Sequence, residues 1–342
     1  MAKFFQGKNK TPVGLHFWLT ALVIFGLGTG VGAIARREWV VVRSPWLPPI
    51  IGHQIREGRV GLTNPLLGCE VSDRKQFAEY KTLEDKVGAF INNEKKKGTI
   101  TSASFYFRES DSGRWTGINE NETFYPASLL KVPLMITYLK LAENDPEFLR
   151  KRVRYESGPD QNAREQIPSG ASIQPGATYT IDELLSFMIV DSDNNAATLL
   201  FKSISESELE DVLGDLGINI PLHDFTGDFM SPRTYSLFFR ILYNASYLNK
   251  EMSQKALELL SRSNFNEGLR AGVDAKVTVA HKFGEAQKPD EGIVELHDCG
   301  IVYATDPYFI CVMTKGKDIS LLKKSVAQLS ALVYNEVTLA KP

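Results

Sequence analysis

The pattern of hydrophobic and polar positions after residue 80 begins with one helix and a hairpin. A helical period runs from Thr82 to Lys97, with apolar side chains recurring on one face. Two short alternating runs follow, at Ser102–Arg108 and Gly113–Ile118, and the turn-forming letters Asp-Ser-Gly lie where they meet. The pattern therefore predicts a helix and then two paired strands.

The rest of the chain is helical in its middle and alternating near its end. From Ser128 to about Ser263 the helical period is nearly continuous, with Gly217 and Pro232 as interruptions. Three alternating runs and a last helical stretch follow: Val277–Glu285, Glu295–Ala304, Tyr308–Thr314 and Ile319–Leu339. Two early and three late strands predict an α/β fold, in which helices flank an antiparallel five-stranded sheet built from both chain ends. An all-α subdomain, about residues 128–263, is inserted into it.

An uncharged apolar run extends from Phe17 to Ala35, close to the roughly 20 residues that span a bilayer as a helix. Lysines precede it, as in the first part of an export signal. Arginines on its far side balance those lysines, so charge does not set its orientation. The small residues that end at Ala35 also resemble a cleavage site. We favour a retained anchor on an extracytoplasmic protein, and a protein secreted after cleavage near Ala35 remains the alternative.

These patterns divide the chain into four segments. Residues 1–16 form a short N-terminal tail, and 17–35 form the transmembrane anchor or signal segment. Residues 36–80 contain several prolines and no sustained helical period, which predicts an extended connector. Residues 81–340 form the remaining domain, whose length fits one large domain or two intimately packed subdomains.

Composition and charge exclude some classes of protein. Of the 342 residues, 43% are hydrophobic and 23% are charged, as in an ordinary globular protein with a sizeable core. The net charge of −2 and the pI of about 6.3 provide no electrostatic attraction to a polyanion. We therefore expect no nucleic-acid partner.

The chain has three cysteines, so at most one disulfide can form within it. Cys299 and Cys311 lie on one predicted hairpin and could face each other across it. Two small, buried, unpaired side chains are the interpretation that we favour, and whether the two cysteines pair stays open. His281 and His297 lie on neighbouring predicted strands, but no third ligand with suitable spacing accompanies them. We expect no metal site.

The letters Ser-Leu-Leu-Lys at Ser128–Lys131 place a hydroxyl and an amine on one face of a helix. A serine hydroxyl becomes a good nucleophile when a neighbouring base removes its proton, and a lysine of lowered pKa can do so. Pro126 and Pro133 place Ser128 near the start of the helix, where unpaired backbone N–H groups favour an oxyanion. These features are typical of acyl transfer.

The same four letters recur at Ser320–Lys323, where they open the last predicted helix. We interpret that copy as a helix cap and a surface lysine. The tetrapeptide alone is therefore weak support for a function.

Two further motifs follow Ser128 in order. Ser-Asp-Asn at Ser192–Asn194 lies at the start of a predicted helix, and its alternative interpretation is an N-cap. Lys-Phe-Gly at Lys282–Gly284 lies on a predicted strand, where the glycine lets a ligand approach the backbone. The alternative there is a strand lysine before a turn. Only the ordered set of three motifs carries weight.

The ordered set resembles the signature of class A β-lactamases and penicillin-binding proteins. The resemblance covers roughly residues 82–338 and implies a β-lactamase/transpeptidase-like fold and a serine hydrolase that needs no cofactor. It implies that Ser128 is the acylated nucleophile and that Lys131 is its proton partner.

The resemblance also implies roles for the other motif residues. Ser192 would pass a proton to the leaving nitrogen, and Asn194 would hold Lys131 and the substrate amide. Lys282 would bind the substrate carboxylate and tune Ser192, beside the substrate-binding Gly284. The backbone N–H groups of Ser128 and Glu285 would form the oxyanion hole.

Three departures from the family pattern concern substrate binding and the activation of water for deacylation. Phe283 replaces a threonine or serine that contacts the substrate carboxylate, and Cys299 lies near the place of an arginine with that role. The family's E-x-x-L-N segment is missing, because the corresponding stretch, Ile218–Met230, contains no glutamate. Asp228 is the nearest carboxylate in register, with Asp224 behind it. Asp228 is therefore a candidate deacylation base, and a turn or cap residue is the alternative.

Three functions follow from the sequence. The first is a β-lactamase-like hydrolase that forms an acyl-enzyme on Ser128 with β-lactams, as part of β-lactam catabolism and the antibiotic response. The second is a penicillin-binding DD-peptidase that acts on D-Ala-D-Ala peptides of the cell wall. The third is a non-catalytic binder of either ligand. The expected partners are these small molecules and the membrane, through the N-terminal helix.

Overall fold

The computed structural model describes residues 54–69, 80–218 and 227–339. The predicted tail, the predicted anchor at 17–35 and most of the predicted connector lie outside these residues. No helix in the described ranges is both long and apolar enough to span a bilayer.

A five-stranded antiparallel sheet forms the centre of the domain, as predicted. Its strands, in the order β4-β3-β9-β8-β7, come from both ends of the chain. Four more short strands form two separate pairs, β1 with β2 and β5 with β6. The strands are β1 Gln54–Arg56, β2 Leu66–Cys69, β3 Ile100–Glu109, β4 Trp115–Ile118, β5 Arg152–Arg154, β6 Thr178–Thr180, β7 Val279–Lys288, β8 Ile293–Val302 and β9 Tyr308–Gly316.

Eight α-helices are described: α1 Lys81–Lys97, α2 Lys131–Ala142, α3 Ile181–Val190, α4 Asn194–Lys202, α5 Glu206–Asp215, α6 Pro232–Tyr243, α7 Lys250–Ser261 and α8 Ile319–Leu339. Helices α1 and α8 bury apolar residues such as Val87 and Val326 against one face of the sheet. Helices α2 to α7 form the other core, in which Met135 and Leu185 are fully buried. Two apolar cores on opposite faces of one sheet hold the domain together.

Helix starts in the second core follow from their capping residues. Thr180 and Glu183 form a capping box at α3, in which each side chain bonds the other's backbone N–H. Asp193 caps α4 by accepting a hydrogen bond from the backbone N–H of Asn195. The Asp193 cap fixes the end of the short turn between α3 and α4, which carries Ser192.

The middle of the chain is less helical than the sequence predicts. Strands β5 and β6 pair with each other and enclose an irregular loop, residues 155–177. Each strand has three residues, which is too short for an alternating pattern to be recognised. The predicted connector likewise contains the β1–β2 pair.

Cys299 and Cys311 are joined by a disulfide bond. The two residues are direct partners in the register of β8 with β9, and their Cα atoms are 4.0 Å apart. Both side chains are fully buried. The favoured interpretation of two unpaired cysteines was therefore wrong, although their burial was predicted.

Candidate active site

Ser128 lies in a short 3₁₀ helix, Ala127–Leu130, that runs directly into α2. Its side chain lines a cavity of about 910 Å³ that Lys131, at the first position of α2, also lines. The structure thus brings the hydroxyl and the amine of the first motif to one cavity.

Lys131 is buried and all its described partners are oxygen atoms. Its Nζ donates to the backbone oxygen of Ser192 at 2.6 Å, to Ser192 Oγ at 3.2 Å and to Asn194 Oδ1 at 2.6 Å. Burial lowers the pKa of Lys131 to about 7, although the Glu165 and Asp193 carboxylates oppose the shift. A large fraction of Lys131 is therefore neutral near pH 7 and can accept a proton.

Ser192 has a backbone φ of 56°, in the left-handed region that residues other than glycine seldom adopt. The next residue, Asp193, holds this turn in place. Its buried carboxylate accepts hydrogen bonds from Asn162 Nδ2 at 2.7 Å and from the backbone N–H of Ile173 at 2.9 Å, both in the 155–177 loop. The N-cap that the sequence offered as the alternative for this motif is Asp193, which also ties this loop to the turn.

Lys282 extends from β7 toward the same serine. Its Nζ donates to Ser192 Oγ at 2.9 Å and to the backbone oxygen of Phe283 at 2.8 Å. Burial, together with the nearby Lys131 ammonium, holds the pKa of Lys282 well below its ordinary value. Ser192 Oγ therefore lies between two amines. It can give its own proton to a substrate and regain one from an amine.

The sequence also predicted that Lys282 binds a substrate carboxylate. In the structure, an aromatic ring packs over its amine. The Lys282 side chain has no exposed surface. The Phe283 ring centroid lies 4.2 Å from Nζ, and this ring stacks on Phe265 at 4.2 Å. Lys282 is not among the described residues that line the cavity around Ser128. Its contact with Ser192 is formed, whereas its role toward a substrate carboxylate stays a prediction.

The sequence predicted that Gly284 lets a ligand approach the backbone. In the structure, the segment that carries Ser128 approaches it. A Cβ atom at this position would lie 2.8 Å from the Pro126 oxygen and 3.1 Å from the Leu129 nitrogen. The glycine thus lets β7 pack closely against the 3₁₀ helix that carries Ser128. Because Ser128 and Glu285 flank this contact and line the same cavity, it sets the spacing of the two predicted oxyanion donors.

We expect Gly284→Ala to separate these two segments. The added methyl meets backbone atoms, which cannot rotate away, so the free energy of unfolding should fall by about 1–3 kcal/mol. Acylation of Ser128 should also slow, because the oxyanion donors move apart. Thermal unfolding and the rate of labelling by a β-lactam measure the two effects. Gly158→Ala is the matched control, because a Cβ there meets nothing within 4 Å. Equal behaviour of the two variants would contradict the packing role.

Asp228 is held by two lysine side chains. Burial alone would raise the pKa of its carboxyl group, but hydrogen bonds from Lys315 and Lys288 hold that pKa below the ordinary value. The Lys288 Nζ is 2.9 Å from Asp228 Oδ1. Asp228 is not one of the described residues that line the cavity with Ser128. Its two ion pairs give Asp228 a structural role, and its assignment as a deacylation base stays a prediction.

Glu165, which sequence reasoning missed, does line that cavity. It belongs to the 155–177 loop, and its Oε1 accepts a hydrogen bond from Asn194 Nδ2 at 2.7 Å. Its carboxyl group also hydrogen-bonds the side chain of Glu285, whose Oε1 accepts from the backbone N–H of Ile167 at 2.8 Å. Burial and the neighbouring Glu165 raise the pKa of Glu285 to about 8. The prolines and glycines around Glu165 were the available signal for a loop.

The second Ser-x-x-K copy lies at the start of α8. Ser320 is exposed, and the helix is capped by Asp318, whose Oδ1 accepts from the Ser320 and Leu321 backbone N–H groups. Lys323 forms an ion pair with Glu267. The predicted surface lysine is half-buried, with 14% of its side chain exposed. The cap of the helix is Asp318 and not Ser320.

Comparisons with known proteins identify a family over the part of the chain that contains the three motifs. The sequence profile of the β-lactamase enzyme family matches residues 82–337. The solved structure of PBP-A is 24% identical, with a TM-score of 0.62 over 76% of this chain and 97% of that one. A PBP-A variant in acyl-enzyme complex with penicillin G is also 24% identical, with a TM-score of 0.61 over 75% and 97% of the two chains.

A β-lactamase from Chitinophaga pinensis is 20% identical, with a TM-score of 0.64 over 75% of this chain and all of its own, 100%. At these identities the likeness of the structures establishes the fold. A search of curated protein sequences found no significant match.

Proposed function

Because the chain belongs to the β-lactamase enzyme family, we propose that it forms an acyl-enzyme on Ser128 and acts on β-lactams. The observation that carries this proposal is the hydrogen-bonded chain from Lys131 through Ser192 to Lys282, beside the cavity that Ser128 lines. A penicillin G acyl-enzyme is also known for a variant of the similar PBP-A.

Acylation begins with the neutral form of Lys131. This amine takes the proton of the Ser128 hydroxyl, and the oxygen attacks the carbonyl carbon of the strained amide. The negative charge that develops on the carbonyl oxygen is stabilised by the backbone N–H groups of Ser128 and Glu285. Ser192 then donates its proton to the leaving nitrogen and regains one from Lys131.

A DD-peptidase is the second candidate, because Asp228 is held by two lysines and is not among the described residues that line the cavity. An acyl-serine without an efficient base for water would persist, as expected of a penicillin-binding protein. The same Ser128 chemistry would then act on D-Ala-D-Ala peptides, with a β-lactam as a trapping reagent.

We place the hydrolase domain outside the cytoplasm, held by an N-terminal membrane helix at residues 17–35. The disulfide between Cys299 and Cys311 supports this location, because such bonds persist in oxidising compartments. The apolar run and the lysines that precede it support the anchor.

One experiment tests the acyl-enzyme and separates the candidates. The full-length protein is incubated with a chromogenic β-lactam, and both colour release and intact protein mass are followed. A mass increase that peptide mapping assigns to Ser128 is the expected result. Sustained colour release indicates a β-lactamase, and a single burst with a stable adduct indicates a penicillin-binding protein. A folded protein that acquires no adduct would contradict both.

A further inference from the structure

We propose that Glu165 is the base that activates water to hydrolyse the Ser128 acyl-enzyme, and that it acts as a pair with Glu285. The inference rests on the proposed function, since it concerns the second half of that reaction. It assigns the step to the loop that precedes Ser192, whereas the sequence pointed to the segment after the Ser-Asp-Asn helix.

The cavity itself narrows the choice of base. Hydrolysis of an acyl-serine ester requires a group that takes a proton from water near the ester carbon. Among the described residues that line the cavity with Ser128, two have carboxyl groups, Glu165 and Glu285. Lys131 lines it as well, but its amine already has a role in acylation.

Glu165 is held in place without any substrate. Asn194 donates from Nδ2 to Glu165 Oε1 at 2.7 Å, and its Oδ1 accepts from Lys131 Nζ at 2.6 Å. One amide therefore connects the two groups that exchange protons at this site. The loop is fixed further by Asn162, whose Oδ1 accepts from the backbone N–H of Asn194 at 2.8 Å. The carboxylate is half-buried and pre-positioned, as a general base should be.

The two carboxyl groups have different environments and therefore different roles. Glu285 is the more buried, and its pKa of about 8 keeps it protonated at neutral pH. Its carboxyl group hydrogen-bonds that of Glu165, which we assign as the acceptor of the water proton. The charge of this acceptor adds to the effect of burial in raising the pKa of Tyr125, and it opposes the lowered pKa of Lys131 and of Lys282. Among the described residues, Arg164 and Lys202 also line the cavity with Glu165.

The step balances without any further reactant. Water adds its oxygen to the acyl carbon while Glu165 takes one of its protons, and the carbonyl oxygen becomes the oxyanion. The bond between that carbon and Ser128 Oγ then breaks. The proton taken by Glu165 ends on Ser128 Oγ, so that the free acid leaves and the serine hydroxyl is restored.

Glu165→Gln tests the inference on the full-length protein. The adduct formed with a chromogenic β-lactam should decay about 10²-fold more slowly than in the wild type, because an amide cannot take the proton. Acylation should keep its wild-type rate within a few-fold, which also shows that the variant is folded. Intact mass after removal of excess β-lactam measures the decay. Glu267→Gln, at an exposed site on the surface, is the matched control.

The outcomes distinguish this inference from the proposed function. If the wild type acquires no adduct, the proposed function fails and this inference fails with it. If the wild-type adduct never decays, or if it decays equally fast in Glu165→Gln, the proposed function stands and Glu165 is not the base. An adduct that decays more slowly in Asp228→Asn than in Glu165→Gln would likewise overturn the assignment.

The pH dependence gives a second readout on the wild type. Above pH about 8 the proton of Glu285 is lost, and two carboxylates repel each other, which displaces Glu165 from Asn194. Deacylation should therefore slow above this pH while acylation does not. A deacylation rate that shows no change through pH 8 would contradict the paired arrangement.

Discussion

Ser128→Ala is expected to abolish the acyl adduct that a β-lactam forms with this protein. Removal of the hydroxyl leaves the cavity and its hydrogen-bonded chain in place but takes away the atom that is acylated. The rate of labelling should fall on the order of 10⁴-fold or more, to the background level, as is usual when a nucleophile is removed. Intact mass after incubation with the chromogenic β-lactam measures the loss.

The chain contains its own control for this variant. Ser320 occupies the same position in an identical tetrapeptide, but it is exposed at the start of α8, and Lys323 is paired with Glu267. Ser320→Ala should therefore acylate at the wild-type rate. Labelling that survives Ser128→Ala and disappears in Ser320→Ala would mean that the nucleophile has been assigned to the wrong copy.

The contrast between these two copies shows what the sequence could predict about the site. The order of the three motifs pointed to Ser128, Lys131, Ser192 and Lys282, because the residue types and their order can be recognised in the sequence alone. The sheet was predicted because its last three strands are nine or ten residues long, and segments of that length give a recognisable strand signal.

Glu165 could not be predicted in this way. It lies in an irregular loop that the pattern assigned to a helical subdomain, and its importance depends on which residues that loop meets. Asn194 and Glu285 are distant from it in sequence and meet it through the fold. Short strands on both sides of the loop left no periodic signal. Tertiary contacts, and not local preference, determine which carboxylate faces the nucleophile.

The burial of Phe283 has a similar origin. Its position in the third motif marked a departure, but the sequence did not show where the ring would point. In the structure the ring stacks on Phe265 and covers the Lys282 amine. The core that receives it contains residues from β7, β8 and α8, which are brought together by folding. A motif can therefore identify a lysine without showing whether its amine is open to a ligand.

Lys131→Met is expected to lower the rate of Ser128 acylation about 10³-fold, which is the usual size of a general-base contribution. Methionine fills a similar volume but has no amine to take the proton, so the hydroxyl of Ser128 stays protonated. The contacts of Asp193 and Asn162 still hold the start of α4 and the turn before it. Pre-steady-state colour release with the chromogenic β-lactam measures the rate, and thermal unfolding shows that the variant is folded. Lys323→Met, in the second tetrapeptide, is the matched control and should acylate normally.

The pH profile shows whether Lys131 acts as the base or only as a structural cation. A base must be unprotonated, and the pKa of Lys131 is lowered to about 7. The acylation rate of the wild type should therefore rise about tenfold per pH unit below pH 7 and level off above it. Lys131→Met should lose this rise and retain a slow rate that is nearly independent of pH. If the variant is slow but keeps the rise with a midpoint near pH 7, another group takes the proton and Lys131 only positions Ser192 and Asn194.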